Sequence, residues 1–264
     1  MDPIAQFKES AKQGWASFIP FEMITAMAAP RLLKRAGVTH GAKVLDVGCG
    51  TGVVALTAAR IGAKATGVDL TPELVERAKY NATLTKRNVD FHVGDAEELP
   101  FGDATFDFVL SQFGHMFAPR PEVAVREMLR VLKPGGIIAF STWPPELFTG
   151  RMFALTGRYA PPPPAGVSPP TPWGDPSVVR ERLGTAVKDL TFDRETLRAP
   201  TLSPQHTREG MEANVGPMKK LVAALASDPD KLAALRRELD ALIEEYFEDN
   251  TLRQDFLVTR AVKA

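Results

Sequence analysis

Apolar positions in the first half of the chain fall into two alternating spacings. Val44, Leu45 and Val47 form a short unbroken run of strand type, whereas Val53, Val54, Leu56, Ala58 and Ala59 form a small-residue helical run that stops at Gly62. The exchange repeats downstream, predicting strands near 43–47, 64–69, 89–93, 106–110 and 136–142 with helices between them. Thr71 followed by Pro72 is a helix start, a capping hydroxyl and then a proline in the first turn. "VLKPGG" (131–136) ends another helix and turns the chain into the next strand. Alternation of this kind predicts a parallel sheet with helices on both faces.

The flanks read differently. Residues 1–40 are helical in character, with Trp15, Phe18, Phe21, Met23, Ile24 and Met27 as apolar contacts and with Pro20 and Pro30 as breaks. They form an expected N-terminal cap on a core spanning 41–143. After Trp143 a proline-rich stretch, 159–176, is expected to be an extended connector. Asp175–Pro176 starts a short helix that stops at Gly184. Residues 186–198 and 254–263 have strand character, and 204–250 between them are helical, interrupted at Gly216–Pro217 and restarted at Asp228–Pro229. In that last helix Leu232, Leu235, Leu239, Leu242, Ile243 and Tyr246 share one face. The insertion is expected to be a lid over the sheet or a dimerisation element, within a C-terminal part, 144–264, that completes the sheet.

Composition narrows the function classes. The 264 residues carry 32 Lys+Arg against 32 Asp+Glu, so no general electrostatic grip on nucleic acid or anionic membrane is expected. A single cysteine, Cys49, excludes an intrachain disulfide and favours a reducing compartment. The first thirty residues show no basic start followed by an apolar run, and no apolar stretch approaches the roughly 20 residues of a membrane span. The expectation is a soluble cytoplasmic protein, monomeric or homodimeric, with no metal site.

The informative chemistry lies in "KVLDVGCGTGVVALTAA" (43–59), a strand, a glycine loop and a helix. Such a loop brings backbone N–H groups and a helix N-terminus to a ligand. A nucleoside-triphosphate loop requires Gly-Lys-Ser/Thr, but Gly52 is followed by Val53 and Val54. A dinucleotide loop, G-x-G-x-x-G, has its third glycine place taken by Val53. The pattern present is D-x-G-x-G-x-G, from Asp46 through Gly48 and Gly50 to Gly52, with no basic residue for a phosphate.

This arrangement resembles the loop of class I S-adenosylmethionine-dependent methyltransferases. The resemblance continues in order through "GVDLTPELVERA" (67–78), "GDAEELPF" (94–101), "FDFVLSQFGHMF" (106–117) and "EMLRVLKPGG" (127–136). It implies an α/β, Rossmann-like seven-stranded mixed sheet, last strand antiparallel, with helices on both faces and a helical lid or insertion. It further implies S-adenosyl-L-methionine as cofactor, held by Asp46, Gly48, Cys49, Gly50 and Gly52 in the loop. Asp69 and Leu70 would lie at the ribose, with Asp95 and Ala96 at the adenine edge. Ser111, Gln112 and Phe113 would stand beside the methionine end, and Trp15 would cover the cofactor. Cys49 reads as a packing residue.

Methyl transfer from a sulfonium is an in-line displacement, which asks mainly for alignment and exclusion of water. Where the acceptor loses a proton, His115 is the candidate base and His206 a weaker one, while His40 and His92 read as turn and strand residues. Phe- and Met-bearing segments around 147–153 and 211–218 predict an enclosed, partly apolar site for a small-molecule acceptor. The motif set is shared with methyltransferases of quinone biosynthesis and leaves O-, N-, S- and C-methylation open. The other readings are a catalytically silent cofactor-binding module and an NAD-dependent oxidoreductase.

Overall fold

The computed structural model describes residues 2–264. Four helical pieces open the chain: α1 (Pro3–Trp15), a 3-10 stretch over Ala16–Phe21, α2 (Glu22–Ala26) and α3 (Ala29–Ala36). The breaks follow the prolines, with Pro20 inside the 3-10 stretch and Pro30 in the first turn of α3. The alternating region then runs β1 (Lys43–Val47), α4 (Val53–Arg60), β2 (Lys64–Asp69), α5 (Pro72–Thr85), β3 (Asp90–Val93), β4 (Phe106–Gln112), α6 (Pro121–Val131) and β5 (Leu132–Thr142). The C-terminal part adds α7 (Phe148–Gly157), α8 (Pro176–Leu183), β6 (Val187–Pro200), α9 (Pro204–Asn214), α10 (Gly216–Leu225), α11 (Pro229–Glu244), β7 (Phe247–Glu248) and β8 (Thr251–Lys263).

The strand order is β3-β2-β1-β4-β5-β8-β6, with β1 to β5 parallel and β8 antiparallel to both of its neighbours. The sheet therefore has eight strands rather than the expected seven. The extra one, β7, is two residues long and pairs with β8 through a turn at Asp249 and Asn250, both at positive φ (50° and 56°). Two left-handed residues in succession match the right-handed twist of a tight hairpin, and Asp and Asn tolerate that conformation best after glycine.

Two apolar cores result. The larger lies between the sheet and its helices and includes Leu45, Val109, Ile138 and Phe140, none of them more than 1% exposed. The second is built from the stripe on α11, with Leu235, Leu239 and Ile243 packed against Phe148, Met152 and Leu155 of α7. Burying one such side chain is worth about 1.5–3 kcal/mol, so the insertion carries its own stabilising centre. Its two ends meet, since Pro200 of β6 pairs directly with Thr251 of β8.

Candidate active site

A cavity of about 550 Å³ opens beyond the carboxyl ends of the parallel strands, where ligands bind in open α/β sheets. At one end stands the glycine loop. Gly48, Gly50 and Gly52 all have positive φ (66°, 54° and 85°), and two of them are in close packing. A Cβ on Gly48 would sit 2.8 Å from Gly114 Cα, and one on Gly52 would sit 2.7 Å from the Phe91 ring. Gly50 differs: a Cβ there would meet no protein atom within 4 Å, and the residue borders the cavity. The space beside Gly50 is thus left for a ligand.

Asp69, at the end of β2, closes the loop. Its Oδ2 accepts from Gly50 N (2.8 Å) and its Oδ1 from Thr71 N (2.9 Å), and burial pushes its carboxyl above the usual range. Asp46 lies behind the loop and does not border the cavity. It is 1% exposed, its Oδ2 accepts from Ala55 N (3.1 Å) inside the first turn of α4, and its Oδ1 has no partner. Burial lifts it to about 7, with the Asp69 charge adding to the rise. Between pH 4 and 7 the unfolded chain loses that proton while the folded one keeps it, so stability falls as pH rises, by up to ~1.4 kcal/mol per unit. Asp46→Asn should flatten this part of the ligand-free protein's profile. Melting temperatures of both proteins from pH 4.5 to 7.5 test it, and parallel profiles would contradict it.

Of the other residues singled out from sequence, Trp15, Cys49, Leu70, Asp95, Ala96, Gln112 and Phe113 border the cavity. Burial, then the Asp69 and Asp46 charges, push the Cys49 thiol far up, consistent with a packing role. Trp15 packs on Phe117 with ring centres 4.6 Å apart, and so brings α1 across the cavity. Phe113 has φ 59° and stacks flat on Trp143 at 3.9 Å. Gly52 and Ser111 lie outside the lining. Ser111 Oγ donates to Val47 O (2.6 Å) and accepts from His115 N (3.0 Å), tying β1 to the turn after β4.

His115 requires a correction. The residue borders the cavity but is only 1% exposed, and its imidazole packs against Phe140 and Trp173, ring centres 4.5 and 4.8 Å away, neither of which lines the cavity. Burial, with the Arg182 charge adding, lowers it to about 3. Such a ring is neutral and a poor proton acceptor. Nothing local in the sequence signals this burial, because Phe140 and Trp173 come from distant segments. His206 does border the cavity, and its Nδ1 lies 3.0 Å from Thr201 Oγ1.

Sequence reasoning missed two features. Lys8 Nζ reaches Asp95 Oδ2 (2.6 Å) and Glu97 Oε2 (2.5 Å), clamping α1 to the rim of the cavity. Gly216 of α10 packs so closely on α1 that a Cβ there would sit 2.1 Å from Gly14 O, and Lys220 Nζ donates to Ser10 O (2.7 Å). Neither contact has a local motif, because each joins segments far apart in sequence.

Residues 45–140 match a family described as a methyltransferase domain, Methyltransf_11. Over 243 residues the chain is 34% identical to an uncharacterized protein of Mycobacterium tuberculosis, covering 92% of this chain and 89% of that protein. Over 138 residues it is 41% identical to a Staphylococcus aureus demethylmenaquinone methyltransferase, covering 50% of this chain and 56% of the relative. The chain belongs to the class I S-adenosylmethionine-dependent methyltransferases. The methyltransferase shares its fold with the YcgJ protein of Bacillus subtilis (TM-score 0.58, 21% identity, 90% of this chain and 98% of that one). It also shares it with the [4+2]-cyclase SpnF (TM-score 0.52, 23% identity, 90% and 80%). A cyclase on the same frame shows that fold alone does not assign the chemistry.

The residues present fit the cofactor. An uncharged backbone cradle with open space at Gly50 faces the carboxylates of Asp69 and Asp95, which suits a ligand that carries a cationic centre and hydroxyls but no phosphate. No helix among the described residues is long and apolar enough to cross a membrane, and none of their His, Cys, Asp and Glu side chains form a metal-binding group.

Proposed function

We propose that this methyltransferase acts on a small, uncharged and largely apolar acceptor. One observation carries the reading. The cavity runs from the glycine loop into a chamber walled by Phe148, Met152, Phe153, Met211, Met218 and Leu221, and the charged side chains of its lining are Lys8, Asp69 and Asp95, at the loop and the α1 cover. An ionised acceptor in that chamber would lose its hydration with no partner in return. A nucleic acid would ask for a basic groove instead. The name of the Staphylococcus aureus relative, a demethylmenaquinone methyltransferase, points the same way.

The residue roles follow. Asp69 accepts from the ribose hydroxyls with the lone pairs left over from Gly50 and Thr71, and Asp95 and Ala96 take the adenine edge. The loop from Gly48 to Gly52 carries the methionine end, with Cys49 and Phe113 as packing walls, while Trp15 and Leu70 close over the adenosine. Asp46 and Ser111 position the loop from behind. Bound S-adenosylmethionine supplies an electrophilic methyl group. The protein's own contribution is to align the acceptor with it and to keep water out under α1, α7, α9 and α10.

Transfer of labelled methyl from S-adenosylmethionine to fractionated cell metabolites tests the reading. Label should enter neutral, organic-extractable compounds with the wild-type protein and stay out with Asp69→Ala. Label confined to ionic metabolites, nucleic acid or protein would overturn it.

A further inference from the structure

Gln254, on β8, is a polar side chain set into an apolar wall. Leu252 and Gln254 border the cavity while Arg253 and Asp255 do not, so strand alternation puts the Gln254 amide on the chamber face. Its cross-strand partner Leu197 and the neighbouring Ala199 line the same wall. Beside it stands Thr149 of α7, whose hydroxyl donates to Gln254 Oε1 (3.5 Å). Thr149 is the second residue of its helix and has no preceding helical turn to bond, whereas Thr156 spends its hydroxyl on Met152 O (2.9 Å). With Oε1 held by the hydroxyl, the nitrogen end of the amide is left over. Nε2 donates to no atom among the described residues and retains accessible surface, so an occupant of the chamber can reach it. The hydroxyls further along this wall are already matched: Thr207 donates to Thr201 (2.8 Å), and Thr201 Oγ1 lies 3.0 Å from His206 Nδ1. The register of the sheet gives the depth. Ser141 of β5 pairs with Gln112 on one side and Val258 on the other, and Gly114, just past Gln112, touches Gly48 of the glycine loop. Gln254 lies further out along β8 than that rung, by roughly 13 Å at the usual strand rise.

We infer that Gln254 is a specificity-determining residue that donates a hydrogen bond to a carbonyl-type oxygen at the end of the acceptor remote from the methylated atom. The substrate class is then an elongated, neutral and largely apolar molecule with a carbonyl oxygen far from its reacting end. The inference rests on the reading of the chamber in the preceding section and adds to it a length and a second recognised group. An uncharged amide suits that group, because a carbonyl can accept from it without bringing a charge into the chamber. A hydrocarbon in the same place would strip water from the amide and return no bond, which disfavours it. Binding at this outer point also sets which atom is presented inward: with the carbonyl held at Gln254, the other end of the molecule extends toward the glycine loop. Thr149 is a positioning residue here, since its hydroxyl holds Oε1 and so turns the N–H groups to the chamber. No covalent bond of the acceptor changes at this end.

Binding is measured on the full chain saturated with S-adenosylhomocysteine, using 2-acetylnaphthalene and 2-isopropenylnaphthalene as probes. The two differ in one place, a carbonyl oxygen in the first and a methylene in the second. Their hydration differs as well, so the quantity read is the ratio of the two affinities, compared between wild-type and variant proteins. Gln254→Met, of similar length, should shift that ratio about tenfold against the ketone, the size of one well-made hydrogen bond. Thr149→Val should shift it about threefold in the same direction, and this arm decides the matter should Gln254→Met fail to fold. S-adenosylhomocysteine affinity should change by less than about twofold in both. An unchanged ratio overturns the inference and leaves the apolar chamber standing, whether both affinities hold or both fall together as a mere packing defect would make them. Loss of S-adenosylhomocysteine binding by the folded Gln254→Met protein overturns it too, by giving the amide to the cofactor. Binding of S-adenosylhomocysteine with no binding of either naphthalene to the wild-type protein rejects the apolar chamber itself, and this inference with it.

Discussion

Asp69→Ala should weaken S-adenosylmethionine binding by about 30- to 1000-fold. Two hydrogen bonds from ribose hydroxyls to a carboxylate are together worth roughly 2–4 kcal/mol, because bonds to ionised acceptors are the stronger kind. The truncation has a second cost. Asp69 also accepts from Gly50 N and Thr71 N, so alanine would leave two part-buried N–H groups without a partner and loosen the loop. Titration calorimetry on the folded variant measures the first effect and the melting temperature the second. Undiminished affinity would reject Asp69 as the ribose residue.

Gly114→Ala should cost about 1–3 kcal/mol or more of stability and remove cofactor binding together with it. Gly114 has φ −91°, so no backbone strain is involved. The new Cβ would lie 2.5 Å from Gly48 O and 2.8 Å from Gly48 Cα, and neither backbone can yield without moving the glycine loop off β4. Gly50→Ala provides the contrast. Its Cβ would point into open space, so the stability change should be limited to about 1–2 kcal/mol for an alanine at φ 54°, while the cavity would lose room for the cofactor. Chemical denaturation and calorimetry on both variants separate packing from ligand space. A Gly114→Ala protein as stable as the wild type would show that the two loops are not in contact.

Much of this was legible in the chain, and the legible parts share a physical reason. Val44, Leu45 and Val47 are buried on both sides of a parallel strand, which demands a continuous apolar run that periodicity reveals. Pro30, Pro72 and Pro229 open helices because a first-turn proline gives up no hydrogen bond. The glycine loop is readable because positive φ excludes most other residues. The Phe/Met segments around 147–153 and 211–218 contribute Phe148, Met152, Phe153, Met211 and Met218 to one chamber. The same local signals say nothing about partners brought from a distance. His115 reads like a base until the structure sets its ring between Phe140 and Trp173. Lys8 is one lysine among many until α1 lays it on Asp95 and Glu97. Gln112 gives no sign in sequence that Thr25 will hold one end of its amide. The strand β7 escaped notice because two residues make no pattern, and the helical reading of 204–250 ran over it.

The register of β6 against β8 has a wider consequence. With Pro200 paired to Thr251, everything from α9 to α11 leaves and rejoins the frame at a single rung. That stretch is one loop closed at its base, and α10 within it ties back to α1 at Gly216 and Lys220, so a change there reaches α1 as well as the outer chamber.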